Sequence, residues 1–122
     1  LDNIHRALKP SGLLVAFEPN SRYALNAVRK IWYRADRYFD QENEAALDAV
    51  AITEMAADKF DLQDVTYGGG PAFFLVYNSL IFRVPHWMKR IYARPLIHAE
   101  RIWNSLPTPY PHGYFVARWQ KK

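Results

Sequence analysis

The sequence predicts an α/β fold with a helical insertion, on three observations: an unbroken apolar run at Leu13–Phe17, an alternating segment at Phe60–Tyr67, and an apolar-rich closing segment at Tyr114–Trp119. A run without alternation is the pattern of a strand covered on both faces in a parallel sheet, so Leu13–Phe17 is expected to be buried. The stretches between these segments carry helical spacing, and helices alternating with strands define the class.

Along the chain, Leu1, Ile4 and Leu8 recur at helical spacing and read as the end of an amphipathic helix. Lys9-Pro10-Ser11-Gly12 stops it, because proline disfavours helical geometry in the residue before it and glycine permits a turn. Glu18-Pro19-Asn20 closes the first strand at its carboxyl edge, the side on which open α/β sheets bind ligands. Asn20 or Ser21 is expected to cap a helix with an Ala24, Val28, Ile31, Ala35 stripe, widened by Leu25 and Trp32 and backed by a basic surface from Arg22 to Arg37. Gln41–Lys59 is rich in helix formers and reads as a second helix presenting Leu47, Val50, Ala51 and Met55.

In Phe60–Tyr67 the main apolar positions are Leu62, Val65 and Tyr67, and Asp64 disturbs their phase. Gly68-Gly69-Gly70-Pro71 is a turn or hinge. It is not a phosphate loop, because the Lys-Ser/Thr end of that motif is absent. From Ala72 to Pro111 the texture changes to large apolar and aromatic side chains mixed with cations. A helix is expected to start at Pro85 and to break or kink at Pro95, and Leu106–Pro111 reads as an extended connection. After the last strand, Lys121-Lys122 is expected to be exposed.

The 122 residues suit one modest domain. The absence of cysteine removes disulfides, thiolate nucleophiles and thiolate metal ligands. The four histidines lie far apart, so no metal is assigned. No apolar run approaches the roughly 20 residues that cross a bilayer. Leu1 stands where a Met would begin a chain and Asp2 where a leader would be basic, which leads to the expectation that a segment precedes this one. Charge is uneven: residues 1–80 hold 8 Lys/Arg against 11 Asp/Glu, net −3, whereas residues 81–122 hold 8 against Glu100 alone, net +7. Such a basic region attracts phosphate, acidic lipid or RNA, or is a solvated surface balancing an acidic neighbour. Tyrosines interleave with arginines, but no RNA-binding strand motif accompanies them, which weighs against nucleic acid.

Leu8-Lys9-Pro10-Ser11-Gly12-Leu13-Leu14-Val15 resembles the helix, Leu-Lys-Pro-Gly-Gly, strand passage of class I S-adenosylmethionine-dependent methyltransferases, and Glu18-Pro19-Asn20 follows where many small-molecule members carry a similar loop. Thr53-Glu54-Met55 through Phe60 and Val65 is similar to their later helix and sixth strand, and Gly113–Trp119 to the seventh. The likeness covers most of 1–67 and 113–122, whereas 72–112 fits poorly. Ser11 and Lys59 depart from it, each standing where the family commonly has glycine.

The resemblance implies the C-terminal portion of a Rossmann-like sheet: strand five with its following loop, then strand six, with an antiparallel strand seven between them. It implies that the S-adenosylmethionine-binding glycine loop and ribose-binding acid lie in an N-terminal half preceding Leu1, so no residue here is assigned to cofactor or catalysis. The implied partners are that half and a small-molecule or lipid-like acceptor. Candidate acceptor-binding residues are Glu18 at the strand end, Asn20 in the following loop, His112 and Tyr114 at the entry to the last strand, and Phe74 and Trp87 in the insertion.

Ala72–Pro111 is expected to form a mostly helical cap that sets acceptor selectivity, its length far exceeding that of a simple hairpin loop. An exposed apolar patch of this composition equally suits a homodimer interface. The expected location is cytoplasmic with peripheral membrane association. The competing reading is a basic, aromatic module without catalysis, attached to an acidic membrane or a protein through Trp87, Lys89, Arg90, Arg94, Arg101 and Trp103.

Overall fold

The computed structural model describes residues 1–28, 31, 46–77 and 84–122. Helix α1 (Asp2–Ala7) leads to strand β1 (Leu13–Pro19), helix α2 (Ala49–Ala56), strand β2 (Phe60–Gly68), a π-helical turn (Phe73–Tyr77), helix α3 (His86–Trp103) and strand β3 (Tyr114–Lys121). The strands form one sheet in the order β1-β3-β2. Since β3 is antiparallel to both neighbours, β1 and β2 run parallel to each other with the last strand inserted between them.

Register decides which side chains share a face. Leu14 and Ala16 stand opposite Trp119 and Ala117, and these in turn stand opposite Leu62 and Val65, with Tyr67 opposite Phe115. Ala49, Ile52 and Ala56 of α2, together with Leu8 after α1, pack onto this face and make the core. The small residues of α2 let its axis approach the sheet closely. The buried Trp119 indole N–H donates to Thr53 Oγ1 at 3.0 Å, and that hydroxyl donates to the Ala49 carbonyl at 2.8 Å, so burying the indole leaves no donor unpaired.

The opposite face departs from the expectation for β1. The strand is covered on one side only: Leu13, Val15 and Phe17 are 51, 57 and 59% exposed. A continuous apolar run is compatible with one covered face or two, and nothing among the described residues packs over the second. In β2 the phase disturbance at Asp64 is a bulge: the register slips between Leu62 and Asp64, leaving Gln63 as the extra residue and returning Val65 and Tyr67 to the core face.

Lys121 corrects the reading of an exposed basic end. It lies within β3, and its Nζ donates to the carbonyls of His5 and Leu8 at 2.7 and 2.8 Å, satisfying two orphan acceptors at the end of α1. Ser11 sits at φ +58°, in the left-handed region that glycine adopts without strain. Lys59 ion-pairs with Asp2 and Asp58, tying α1 to the turn before β2.

The second helix is shorter than its composition suggested, because Asp48 accepts from Val50 N and starts it at Ala49; positions 41–45 lie outside the described residues. Of the earlier stripe, Ala24 and Leu25 lie in turns and Val28 and Ile31 are exposed, while Trp32 and Ala35 lie outside the described residues. Asn20 does not cap that helix. Its Oδ1 accepts from Arg22 N, two residues on, in a local turn. Helix α3 continues through Pro95 without breaking. The hydrogen bond lost there would have ended on the carbonyl of Ile91, an exposed residue that water can reach.

Candidate functional site at the carboxyl edge of the sheet

The carboxyl ends of β1 and β2 and the start of β3 meet at one end of the sheet and are stitched there by backbone bonds. Asn20 N donates to Gly113 O at 3.0 Å, Gly113 N to Gly69 O at 2.9 Å, and Leu47 N to Pro19 O at 3.0 Å. Asn20 is almost fully buried, and its amide donates to the carbonyls of Pro109 and His112 at 2.8 and 2.9 Å. His112 is fully buried, with Nδ1 2.7 Å from Thr108 O and Nε2 3.1 Å from Trp103 O. Trp103 Nε1 donates to Pro111 O at 2.8 Å. A proline-rich segment has few amide donors of its own, so these three side chains hold the connection from Thr108 to Pro111 against the sheet through its carbonyls.

The three glycines are a packing seat. A Cβ on Gly70 would lie 2.6 Å from Trp103 Cδ1 and 2.8 Å from Glu100 Oε2. Gly69 has φ +91°, where a side chain is strained regardless of space. Glu100, the lone acid in the basic third of the chain, is buried. Its two carboxylate oxygens accept from Gly70 N and Ala72 N at 2.8 and 2.9 Å, capping the start of the helical segment that follows.

An aromatic cluster surrounds this seat. Tyr23 stacks on Phe74 with centroids 5.6 Å apart, Phe73 meets Phe74 edge-on at 5.1 Å, and Tyr114 bridges Phe73 at 4.8 Å and Phe17 at 4.6 Å. Burial raises the phenol pKa of Tyr23 and of Tyr114, and the nearby Glu100 charge adds to both shifts. Burial also raises Tyr67. At physiological pH these tyrosines are neutral hydroxyls that offer a proton to an acceptor atom; they are not bases.

The six acceptor-binding candidates therefore divide into four places. Phe74 and Tyr114 share the aromatic cluster on the open-face side. Asn20 and His112 are joined beneath it and position the surrounding loops. Glu18 pairs with Phe115, which places it at the rim of the covered face, half-buried and without a hydrogen bond or ion pair among the described residues. Trp87 stands apart on α3, largely exposed.

Sequence reasoning passed over Glu100 as a site residue. The available signal for Glu100 was its isolation in a basic region. Lys89 and Trp103, expected among the cations and aromatics of a membrane-binding face, turn inward instead: Lys89 is buried with its Nζ donating to Val76 O at 3.1 Å, and Trp103 is half-buried with its indole bonded to Pro111 O.

No group of His, Cys, Asp or Glu among the described residues is arranged to hold a metal ion. The glycine seat does not fit a cofactor either, since Gly70 N is already bonded to Glu100 and the space beside Gly70 is filled by Trp103. No protein-family model, curated protein or solved structure matches the chain.

Proposed function

We propose that this chain is the acceptor-side half of an S-adenosylmethionine-dependent methyltransferase, acting on a small-molecule or lipid-like acceptor and completed by an N-terminal half that binds the cofactor. The observation that carries the reading is the sheet: an antiparallel last strand lies between two parallel ones, and among the described residues the outer edge of β1 is unpaired along Leu13–Phe17, where Leu13, Val15 and Phe17 are exposed, Leu47 bridging only its end at Pro19 and Ser21. A further strand pairing with β1 and an element over its open face would complete the implied Rossmann-like arrangement.

The sulfonium of the donor already activates its methyl group, so the protein's task is alignment, with a base required only where the acceptor must lose a proton. Glu18 suits the acceptor side because a half-buried carboxylate at a strand end, with no partner among the described residues, is available to an acceptor hydroxyl or amine. Phe74 and Tyr114, across the sheet from Glu18 on the open-face side, supply apolar walls and one hydroxyl at the same strand ends, and Asn20 with His112 fixes the loops that carry them.

Calorimetry separates the two halves of the reading. The 122-residue chain should show no specific binding of S-adenosylmethionine, whereas the protein including its upstream half should bind it. In that longer protein Glu18→Gln or Phe74→Ala should raise acceptor KM or change acceptor preference, with cofactor affinity unaltered. Stoichiometric binding by the chain alone would overturn the division of labour, and failure of the longer protein to bind would overturn the activity.

A further inference from the structure

Helix α3 bears apolar side chains on two sides, with Ala93, Leu96, Ile97 and Trp103 half-buried on the inner one. Its inner side is held by polar groups: Lys89 bonds to Val76 O, Glu100 caps Gly70 and Ala72, and the Tyr92 hydroxyl donates to Leu75 O at 3.2 Å. Its outer side carries Trp87, Ile91 and Ile102 at 66, 75 and 63% exposure, with Met88 also exposed.

At about 100° of rotation per residue these four side chains fall within one sector of the helix roughly 100° wide, with His98 between Trp87 and Ile91. Arg90, Arg94 and Arg101 form a row along one border of that sector. None of the three has a carboxylate partner among the described residues, and the helix's only acid, Glu100, is buried on the other side.

We propose that this outer face of α3 seats on a lipid bilayer bearing anionic headgroups, with the helix lying in the plane of the interface. A tryptophan and aliphatic side chains flanked by guanidiniums that have no carboxylate partner among the described residues match a layer that is apolar below and negatively charged above. RNA fits less well, because Ile91 and Ile102 offer no stacking surface and fill the centre of the sector. No helix among the described residues is long and apolar enough to cross a membrane, so the contact is peripheral. The inference stands apart from methyl transfer, since it uses none of the residues at the carboxyl edge.

Co-sedimentation of the 122-residue chain with vesicles tests it. Binding is expected to vesicles of phosphatidylcholine containing about one-third phosphatidylglycerol and to fall steeply with added salt, with little binding to phosphatidylcholine alone. The triple variant R90Q/R94Q/R101Q should bind about a hundredfold more weakly, and W87S/I91S/I102S at least roughly tenfold more weakly. All six positions point away from the core, so circular dichroism should remain that of the parent chain. As a control for general charge, R6Q/K9Q should bind like the parent.

Absence of binding to the anionic vesicles, equal binding to neutral ones, or binding that survives both triple variants would overturn the proposal. So would tighter association with single-stranded RNA or an acidic polypeptide through the same residues.

Discussion

Strands β1 and β2 flank the same central strand, yet their outward sides are built in opposite ways. On β2, Asp64 pairs with Arg118 of β3 at 2.8 Å, Asp61 pairs with Lys122 at 3.2 Å, and the bulge at Gln63 interrupts the ladder. Charges and bulges are how a strand discourages further pairing. On β1 seven consecutive residues pair in unbroken register, and the same face of the sheet shows Leu13, Val15 and Phe17. On this face of the sheet the β2 side is covered by ion pairs, whereas the β1 side leaves three apolar side chains in solvent.

The contrast breaks down if both faces respond alike to substitution. Trp119→Ala on the covered face should cost about 3–5 kcal/mol in urea unfolding, through lost burial and the cavity left behind. Phe17→Ser in the same chain should cost under about 1 kcal/mol, because its ring loses mainly the contact with Tyr114. If β1 is covered in a longer protein, Phe17→Ser there should become a core-sized loss. Equal costs in both contexts would refute the idea that the open face is an interface.

A smaller effect tests how firmly the β2 side is anchored to the insertion. Glu100→Gln replaces one accepting oxygen by a donor facing a buried backbone N–H, and should cost about 2 kcal/mol. The loss should appear as a lower Tm and faster amide exchange at Gly70 and Ala72. Unchanged exchange there would show that the carboxylate does not hold the junction.

Next comes the start of α2. Partial burial raises the Asp48 carboxyl, but hydrogen bonds from Arg22 and Val50 and the Arg22 charge outweigh it and hold the group below its ordinary value. A depressed folded-state pKa stabilises the fold above the unfolded carboxylate value of about 3.9, and that contribution disappears as pH falls through the folded value. Asp48→Ala should therefore cost about 1 kcal/mol near neutrality and progressively less in acid. A pH-independent deficit would assign the loss to something other than this carboxylate.

The smallest expected change is a gain, at the turn leading into β1. Ser11→Gly should stabilise by about 0.5 kcal/mol, the relief of left-handed backbone exceeding glycine's extra unfolded-state entropy. No gain in Tm would mean that the turn relaxes around serine without strain.

Local pattern was enough to place all three strands, within two residues at their ends, and the start of the helix that follows Pro85. Apolar runs, alternation and Pro/Gly punctuation report backbone preference directly, and Ser11 already marked a position where glycine would be at ease. What remained closed to sequence reading depends on contacts between distant segments. The unbroken run Leu13–Phe17 has the same composition whether one face or two is covered, so only packing revealed its open side. The bulge at Gln63 depends on pairing with β3 more than fifty residues later. Glu100, Lys89 and Lys121 look like solvated charges in one dimension and become a cap, a tether and a helix stop when backbone carbonyls and amides are brought to them. The sequence showed Trp87, Ile91, Ile97 and Ile102 only as apolar residues mixed with cations in one expected helix; which of them faced solvent was decided by packing, as the bonds of Lys89, Tyr92 and Glu100 turn the side bearing Leu96 and Ile97 inward.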